Sequence, residues 1–305
     1  DSTDANTLLK YAGVALTEAR KRRSSVARFY NPDMIITPMQ RLMHESELRR
    51  ALDKNEFILY YQPRLSLATG KIVGLEALIR WKHPSEGIIS AANFIPTAEE
   101  IGLIEKITEF TLTAVTRQLL DWQSRKVPVV PVALNVSSKD LYTPDLTQSI
   151  LHIVTEMGLP PTLYELEITE SSLIEDMDKV KTNLMEIRDL GVTISIDDFG
   201  TGYSSLRYLS SLPIDLLKID GSFISGLTES DGIQSIIEST IDLAHSLGMP
   251  VIAEGVATHE QLAFLCTKGC DQIQGYLCSP PLPPEKVEIF LAKHQPSDLV
   301  CSNFK

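Results

Sequence analysis

Two adjacent carboxylates, Asp197 and Asp198, follow a β-branched run over residues 192–196 and precede a loop that contains Gly200 and Gly202. The run predicts a short buried strand that ends at the carboxylates. Adjacent strand residues point to opposite faces, so both carboxylates can serve one site only where the strand ends and the backbone turns. A single Asp-Asp pair is more often an Asx turn or a helix cap. A reactive site is favoured here because the same arrangement recurs at other strand ends.

Polar side chains stand at the ends of almost all the other predicted strands. They are Gln62, Glu76, Arg80, Asn135, Glu167, Glu170, Lys218, Asp220, Glu254 and Gln274. Taken singly, each has a structural explanation, such as a turn cap or a solvated face. With Asp197 and Asp198 there are seven carboxylates, which would repel one another in one cavity unless cations held them together. Carboxylates with one Asn amide suit Mg²⁺ or Mn²⁺ rather than zinc, and two such ions can cleave a phosphoester.

The predicted elements that position these residues alternate between strand and helix. Strands are predicted at residues 57–63, 72–81, 129–136, 163–168, 192–196, 216–219, 250–253 and 272–276, and helices at 38–54, 92–123, 144–157, 173–190, 231–247 and 258–268. This pattern predicts an α/β fold, a (β/α)8 TIM-type barrel with its active site at the C-terminal rim. The runner-up is an open doubly wound sheet, which would carry a Gly-rich phosphate loop after its first strand. The sequence contains no such loop there.

Composition and charge narrow the class of protein. The chain has 305 residues, 43% of them apolar, and neither a stretch long enough to span a membrane nor a signal peptide is visible. We therefore expect a soluble, cytoplasmic domain, and an upstream sensor or membrane anchor stays open because the chain starts without Met. The net charge of -12 argues against a nucleic-acid duplex as partner, although not against a small anionic ligand held through divalent ions.

The four cysteines, Cys266, Cys270, Cys278 and Cys301, crowd towards the C-terminus. So few in a chain of this size argue against a disulfide framework and indicate a reducing compartment. Their spacing matches no zinc pattern, so we expect them to be small buried hydrophobic side chains.

Seven short motifs resemble, in order, those of EAL-domain cyclic di-GMP phosphodiesterases. They are residues 76–81 (EALIRW), 134–137 (LNVS), 167–171 (EITES), 197–202 (DDFGTG), 217–220 (LKID), 253–256 (AEGV) and 274–276 (QGY). Each motif is short, but seven in the family's order over a barrel-sized stretch leave chance little room. The resemblance covers roughly residues 40–292 and implies a modified TIM-type barrel.

The resemblance also implies a role for each matching residue. It implies a first Mg²⁺ or Mn²⁺ held by Glu76, Asn135, Glu167 and Asp197, and a second held by Asp197, Asp198 and Glu254. A water between the two ions would attack the phosphorus of cyclic di-GMP and give linear pGpG, with Lys218 orienting that water. Substrate contacts or support of the reaction are implied for Gln62, Leu78, Arg80, Asn135, Asp220 and Gln274, and anchoring of the loop after Asp198 is implied for Glu170.

Residues 1–36 are predicted to form a separate unit. Leu9, Ala12, Leu16 and Ala19 have helical spacing over residues 5–20, and residues 24–36 have the composition of a linker. Residues 6–16 with the basic cluster after them resemble the last helix of a diguanylate-cyclase-like GGDEF domain, although the GGDEF motif is absent. The predicted organisation is a GGDEF-like helix and linker over 1–36, an EAL domain over 37–295 and a tail over 296–305.

Three interpretations of function compete. The first is an active phosphodiesterase, because every implied metal position is filled; the departures from the family, Ala257 and Pro280, remove no metal ligand. The second is a non-catalytic cyclic di-GMP receptor that signals to a fused upstream sensor or GGDEF-like domain. The third is a metal-binding barrel with another phosphoester substrate. The resemblance further suggests a homodimer through the EAL domain, coupled to the second ion by the loop over residues 199–205.

Overall fold

The computed structural model describes residues 8–9, 12–13, 16, 38–142, 144–170, 177–200, 209, 211–227, 230–294 and 299–301. The chain divides into two compact units, Asp1–Lys54 and Asn55–Lys305. In the first unit, helix α1 spans Pro38–Asp53, as the sequence predicts to within a residue. The described residues of the predicted helix over 5–20 are helical, but its Ala19 and the linker over 24–36 lie outside the described residues.

The second unit alternates strands and helices. Its strands are β1 (Phe57–Ser66), β2 (Ile72–His83), β3 (Gly87–Ser90), β4 (Val132–Val136), β5 (Tyr164–Thr169), β6 (Thr193–Phe199), β7 (Leu216–Ile219), β8 (Val251–Ala253) and β9 (Gln272–Gln274). Its helices are α2 (Ile95–Glu100), α3 (Ile104–Ser124), α4 (Ser138–Leu141), α5 (Pro144–Glu156), α6 (Met177–Asp189), α7 (Gly221–Ser225), α8 (Asp231–Ser246), α9 (His259–Thr267) and α10 (Pro284–Lys293). None of the helices in the described part of the chain is long and apolar enough to cross a membrane.

Eight of these strands close into a barrel. Their order is β1-β9-β8-β7-β6-β5-β4-β2, and β2 pairs in turn with β1. Seven of the eight, β2 and β4 to β9, run parallel to one another. The eighth, β1, is antiparallel to both of its neighbours, β2 and β9. The predicted TIM-type barrel is confirmed, with a reversed first strand and no helix between β1 and β2. Strand β3, which the sequence did not predict, pairs with the end of β2 outside the ring.

Strand β1 continues past Pro63, where the sequence predicted its end. The N–H of Tyr61 donates to the carbonyl of Leu282 at 2.7 Å, on the side of β1 that faces away from β2. Backbone N–H groups alternate in direction along a strand, so every second residue from Tyr61 points its N–H to this same side. Pro63 lies two residues further on, and its missing N–H falls on that same side. Pairing with β9 on that side begins only at Arg64. Pro63 therefore breaks no hydrogen bond between β1 and β2.

The prediction that β6 stops before Asp197 is wrong. The strand runs through Asp197 and Asp198 to Phe199, and its pairing with β7 is irregular between Ile196 and Phe199. Asp198 adopts a left-handed φ of 55° within this irregularity. The backbone turn that two neighbouring carboxylates need is therefore a bulge inside the strand rather than the strand's end.

The predicted helix over residues 92–123 is two helices, α2 and α3. The chain between them contains Gly102 with a φ of 71°, a conformation that ends a helix readily because glycine has no Cβ. Helix α3 then buries a stripe of apolar side chains that includes Val115, Leu119 and Trp122. The Trp122 ring lies 5.2 Å from the ring of Tyr61 on β1, which fixes the helix against the outer face of the reversed strand.

The cysteines differ from expectation. Cys266, in α9, and Cys301 form a disulfide with their Cα atoms 5.1 Å apart, so the prediction of reduced thiols is wrong for these two. Cys270 is free and buried as predicted, and Cys278 is free and half-buried. The pairing arises because the C-terminal segment returns to the β1–β2 hairpin, where the N–H of Cys301 donates to the carbonyl of Leu67 at 3.0 Å. The disulfide removes the support that cysteine usage gave to a reducing compartment.

Gly275 is where the loop after β9 touches the loop after β8. Its φ is 153°, and a Cβ added there would lie 2.2 Å from the carbonyl oxygen of Val256. We expect Gly275→Ala to lower the free energy of unfolding by at least about 3 kcal/mol, because backbone rather than a flexible side chain must move. Thermal denaturation measures this.

The matched control is Gly87→Ala, which tests backbone conformation without a steric contact. Gly87 has a φ of 79°, and nothing lies within 4 Å of an added Cβ. Its cost should be about 1 kcal/mol. Equal midpoints for the two variants would contradict the close packing of the two rim loops.

Candidate active site

Glu76, on β2, lies at the centre of a group of hydrogen-bonded side chains at the C-terminal rim. Asn135 Nδ2 donates to its Oε1 at 2.9 Å, and Gln274 Nε2 donates to its Oε2. Gln274 Nε2 also donates to Gln62 Oε1 at 3.2 Å, which ties β1 into the group. Burial raises the pKa of Glu76, but the charge of Lys218 and the two hydrogen bonds lower it below its usual range. Glu76 is therefore held as an ionised acceptor.

Lys218, on β7, is fully buried with three carboxylates around its ammonium group. Its Nζ lies 2.8 Å from Glu167 Oε1, 2.6 Å from Glu254 Oε1 and 3.4 Å from Asp197 Oδ2. Burial lowers the pKa of Lys218, but these carboxylates and Glu76 raise it well above its usual value. The lysine is therefore a permanent cation inside the carboxylate cluster.

One lysine does not balance the negative charge of this cluster. Burial and the charge of Glu76 raise the pKa of Glu167 well above its usual range. Burial is also the main reason that the pKa of Glu254 rises to about 8, with Asp197 raising it and Lys218 lowering it. Full ionisation of the cluster would therefore leave an excess of negative charge, which an additional cation would stabilise.

Asp198 and Asp220 lie beside the cluster. Burial raises the pKa of Asp198 to about 6, and the charges of Asp197 and Asp220 add to this effect. Asp220 is the N-cap of α7, where its Oδ1 accepts hydrogen bonds from the backbone N–H of Ser222 at 3.0 Å and from the Ser222 hydroxyl. The capping bond fixes the carboxylate of Asp220 next to Asp198, and a catalytic role for Asp220 stays a prediction.

Glu170, at the end of β5, contacts the segment that follows Asp198. Its Oε2 accepts a hydrogen bond from the backbone N–H of Gly200 at 2.9 Å. Its Oε1 is buried and has no hydrogen-bond partner among the described residues. Beyond Gly200, the loop that the sequence links to dimer contact, including residues 201–205, lies outside the described residues.

The predicted substrate contacts on β2 follow Glu76 at steps of two residues, which places Leu78 and Arg80 on the same face of the strand. Both side chains are half-buried. Arg80 Nη1 donates to the carbonyl of Ile79 at 2.9 Å, and the guanidinium lies 5.8 Å from the centre of the Tyr60 ring. Gln62 is buried and donates to the carbonyl of Ser279 at 3.0 Å. Arg80 is thus a cation at the mouth of the site.

The cluster has the donor chemistry of a site for hard divalent ions. Carboxylates and one amide oxygen are the ligands that Mg²⁺ and Mn²⁺ prefer. The carboxylate of Glu167 is buried, and its Oε1 already faces a cation, the Lys218 ammonium, at 2.8 Å. Among the described residues, no group of three or more His, Cys, Asp or Glu is spaced as ligands of one metal ion, and the Lys218 ammonium lies between the carboxylates of Glu167 and Glu254. The types of donor in the cluster therefore fit Mg²⁺ or Mn²⁺.

One pair beneath the site was missed from the sequence. Arg64 on β1 and Glu165 on β5 form a buried ion pair across the barrel. The signal was present, since Arg64 is two residues from Gln62 and Glu165 is two residues from Glu167. Residues two apart on a strand share a face, so both point into the barrel below predicted site residues.

The two departures from the family lie outside the hydrogen-bonded cluster. Ala257 is exposed, and its N–H donates to Gln261 Oε1 at 2.8 Å. Pro280 is also exposed, and its carbonyl accepts a hydrogen bond from the Ser279 hydroxyl at 2.8 Å. Neither contact involves a predicted metal ligand.

Comparison with known proteins gives a consistent result. A model of the EAL domain family matches residues 45–281. The cyclic di-GMP phosphodiesterase NbdA of Pseudomonas aeruginosa is 39% identical over 295 residues, which cover 97% of this chain and 38% of NbdA. The bifunctional diguanylate cyclase/cyclic di-GMP phosphodiesterase MucR of the same species is 35% identical over 287 residues, covering 94% of this chain and 42% of MucR. The chain thus spans less than half the length of these relatives.

A solved structure, the PaMucR phosphodiesterase in complex with c-di-GMP, matches with a TM-score of 0.77 and 38% sequence identity. The match covers 80% of this chain and 99% of that chain.

Proposed function

This chain belongs to the EAL domain family, and we propose that it hydrolyses cyclic di-GMP to the linear dinucleotide pGpG. The observation that carries the proposal is the buried cluster of Lys218 with Glu167, Asp197 and Glu254, next to a hydrogen-bonded Glu76. The relatives named as cyclic di-GMP phosphodiesterases and the complex of PaMucR with c-di-GMP support the choice of substrate.

Hydrolysis by this domain is metal-dependent, and we propose two ions, Mg²⁺ or Mn²⁺. Glu76, Asn135, Glu167 and Asp197 would hold the first ion, and Asp197, Asp198 and Glu254 would hold the second. When bound, such ions supply Lewis acidity and lower the pKa of water towards neutrality.

The chain's own residues supply orientation and charge. Lys218 is a fixed cation that would offset negative charge growing on the phosphoryl oxygens. Arg80, at the mouth, would bind a substrate phosphate through charge-assisted hydrogen bonds. Gln274 holds both Glu76 and Gln62 through one amide nitrogen, so it would set the spacing between a metal ligand and a substrate contact.

The test is turnover of cyclic di-GMP with Mg²⁺, with Mn²⁺ and with chelator, followed by separation of the products. We expect pGpG to form only with a divalent ion. Equal turnover of cyclic di-GMP and other cyclic nucleotides would contradict the substrate assignment and favour the third interpretation, a different phosphoester. Activity in excess chelator would contradict the metal assignment.

A non-catalytic cyclic di-GMP receptor is the second candidate. It is favoured by the position of the Lys218 ammonium, which already lies among three carboxylates that would otherwise face a metal ion. The receptor predicts binding of cyclic di-GMP without product under all metal conditions, so the same assay separates the two candidates.

The role proposed for Glu170 is to anchor the segment after Asp198, and it leads to a prediction. We expect Glu170→Ala to raise by about tenfold the Mg²⁺ concentration that gives half-maximal activity, because the bond to the N–H of Gly200 is lost. Glu170→Gln keeps an acceptor oxygen and should shift that concentration less. Equal metal dependence in both variants and the wild type would contradict the anchoring role.

The remaining assignments are proposals for the longer protein. They are a homodimer through the EAL domain, fusion to an upstream sensor or GGDEF-like domain that ends with residues 1–36, and a cytoplasmic location of the domain over residues 37–295. Their support is the family resemblance and the fraction of NbdA and MucR that this chain spans.

A further inference from the structure

A buried ion pair crosses the interior of the barrel below the carboxylate cluster. Arg64 Nη1 lies 2.6 Å from Glu165 Oε1, and Arg64 Nη2 lies 2.5 Å from Glu165 Oε2. The two side chains are only 3% and 2% exposed. This two-pronged geometry fixes both side chains in orientation as well as in distance.

The pair is one layer below the predicted metal ligands. Arg64 is opposite Gly74 on β2 and opposite Gln274 on β9, and Glu76 is the next residue on the same face of β2. Glu165 is the residue below Glu167 on the inward face of β5. The ion pair therefore lies directly below two proposed metal ligands, Glu76 on one side of the barrel and Glu167 on the other.

The space for Arg64 is provided by a glycine. A Cβ at Gly74 would lie 2.5 Å from Arg64 Nη2 and 2.8 Å from its Nε. Any side chain at position 74 would displace the guanidinium from Glu165. The Arg64 guanidinium is thus held between the backbone of Gly74 and the carboxylate of Glu165.

The guanidinium also acts on the layer above it. Burial lowers the pKa of Arg64, but the carboxylates of Glu165, Glu167 and Glu76 together raise it above its usual value. The carboxylate of Glu167 therefore lies between two cations, the ammonium of Lys218 at 2.8 Å and the guanidinium of Arg64 in the layer below.

We propose that Arg64 is a positioning residue, which with Glu165 holds the carboxylates of Glu76 and Glu167 in place to receive a divalent cation. It touches neither substrate nor ion and acts through the two ligands above it. This inference rests on the proposed metal site, and it assigns a role to a pair that the proposed reaction does not use.

A structural role alone would have a different signature. A buried ion pair can often be replaced as a whole by apolar residues without loss of stability. If Arg64 and Glu165 only filled the barrel, such a replacement would leave metal binding unchanged. If they position ligands, metal affinity falls even where the fold is retained.

The experiment compares Arg64→Lys and the double variant Arg64→Met/Glu165→Leu with the wild-type chain. Arg64→Lys keeps the charge but loses the fork. The matched control is Arg125→Lys, since Arg125 forms a forked pair with Glu288 on the surface, 46% exposed. The readouts are Mn²⁺ affinity by calorimetry without substrate, the thermal midpoint in chelator, and kcat and KM for cyclic di-GMP.

We expect Arg64→Lys and the double variant each to weaken Mn²⁺ binding by about tenfold, the lower end of the range for residues that orient metal ligands. The kcat should fall by a similar factor with KM within about twofold, because Arg64 does not contact substrate. Arg125→Lys should change none of these values.

Wild-type Mn²⁺ affinity in a folded double variant would overturn the inference. Failure of both variants to fold would also overturn it, since the pair would then be required for folding rather than for positioning. If the wild-type chain binds Mn²⁺ but does not hydrolyse cyclic di-GMP, the proposed function alone fails. If it binds no Mn²⁺, both fail.

Discussion

Replacing Glu76 with glutamine is expected to lower the kcat for cyclic di-GMP hydrolysis by about a thousandfold, the loss typical of one fixed charge-stabilising group. The change keeps the size of the side chain but removes a charge. It also puts an amide NH₂ opposite Asn135 or Gln274, which both donate to Glu76, so one buried donor loses its acceptor. Product formation with saturating Mn²⁺ measures the effect.

The binding of cyclic di-GMP to Glu76→Gln separates the enzyme from the receptor. Arg80 stays in place, and Gln62 keeps its hydrogen bond to the carbonyl of Ser279, so we expect the dissociation constant for cyclic di-GMP to stay within about threefold. Glu86→Gln is the control, because Glu86 is 70% exposed and lies outside the site. Wild-type turnover by Glu76→Gln would remove Glu76 from the metal site.

The barrel and the layer of polar residues at its rim could be predicted from the sequence because both follow from local patterns. Inward-facing residues recur every second position on a strand, and parallel strands place their carboxyl ends at one rim. Asn135, Glu167 and Lys218 were found by this reasoning, since each stands near the end of a short apolar run. Pairing in the structure places Asn135 directly beside Glu167.

Features that depend on distant parts of the chain could not be predicted in this way. The antiparallel direction of β1 follows locally from its short connection to β2, but the pairing of β1 with β9, which closes the ring, joins residues more than 200 positions apart. The Cys266–Cys301 disulfide depends on the path of the C-terminal segment along Leu67. Arg64 lies beyond the predicted end of β1 and was missed, and only the closed barrel shows that it meets Glu165.

The bulge at Asp198 is an intermediate case. The sequence required the backbone to turn for two adjacent carboxylates to share a site, and the structure supplies that turn inside a strand. Asp tolerates a left-handed φ better than most residues. The local chemistry was therefore predictable, although its position relative to the strand's end was not.

Replacing Lys218 with methionine is expected to affect both stability and turnover. Methionine has a similar length and no charge, so the carboxylates of Glu167, Asp197 and Glu254 would lose the cation that lies among them. Removal of one partner of a buried ion pair costs at least about 3 kcal/mol, which for a domain of this size lowers the thermal midpoint by roughly 10 °C in chelator. A differential scanning measurement without metal shows this directly.

Addition of Mn²⁺ should restore part of the stability of Lys218→Met but not its activity. Divalent ions bound by the same carboxylates replace the missing positive charge and stabilise the folded state by mass action. We expect kcat to stay about a thousandfold below that of the wild type, because no fixed cation then offsets charge on the phosphoryl oxygens.

The control for Lys218→Met is Lys268→Met, whose ammonium lies 2.8 Å from Glu238 Oε1 at a partly exposed site. A surface pair of this kind contributes at most about 1 kcal/mol, so its midpoint should barely move. If Lys218→Met has the same thermal midpoint as the wild type in chelator, and Mn²⁺ does not raise that midpoint, the carboxylates do not need a cation. The two-ion assignment would then be wrong, because the same excess of negative charge is what attracts the metal.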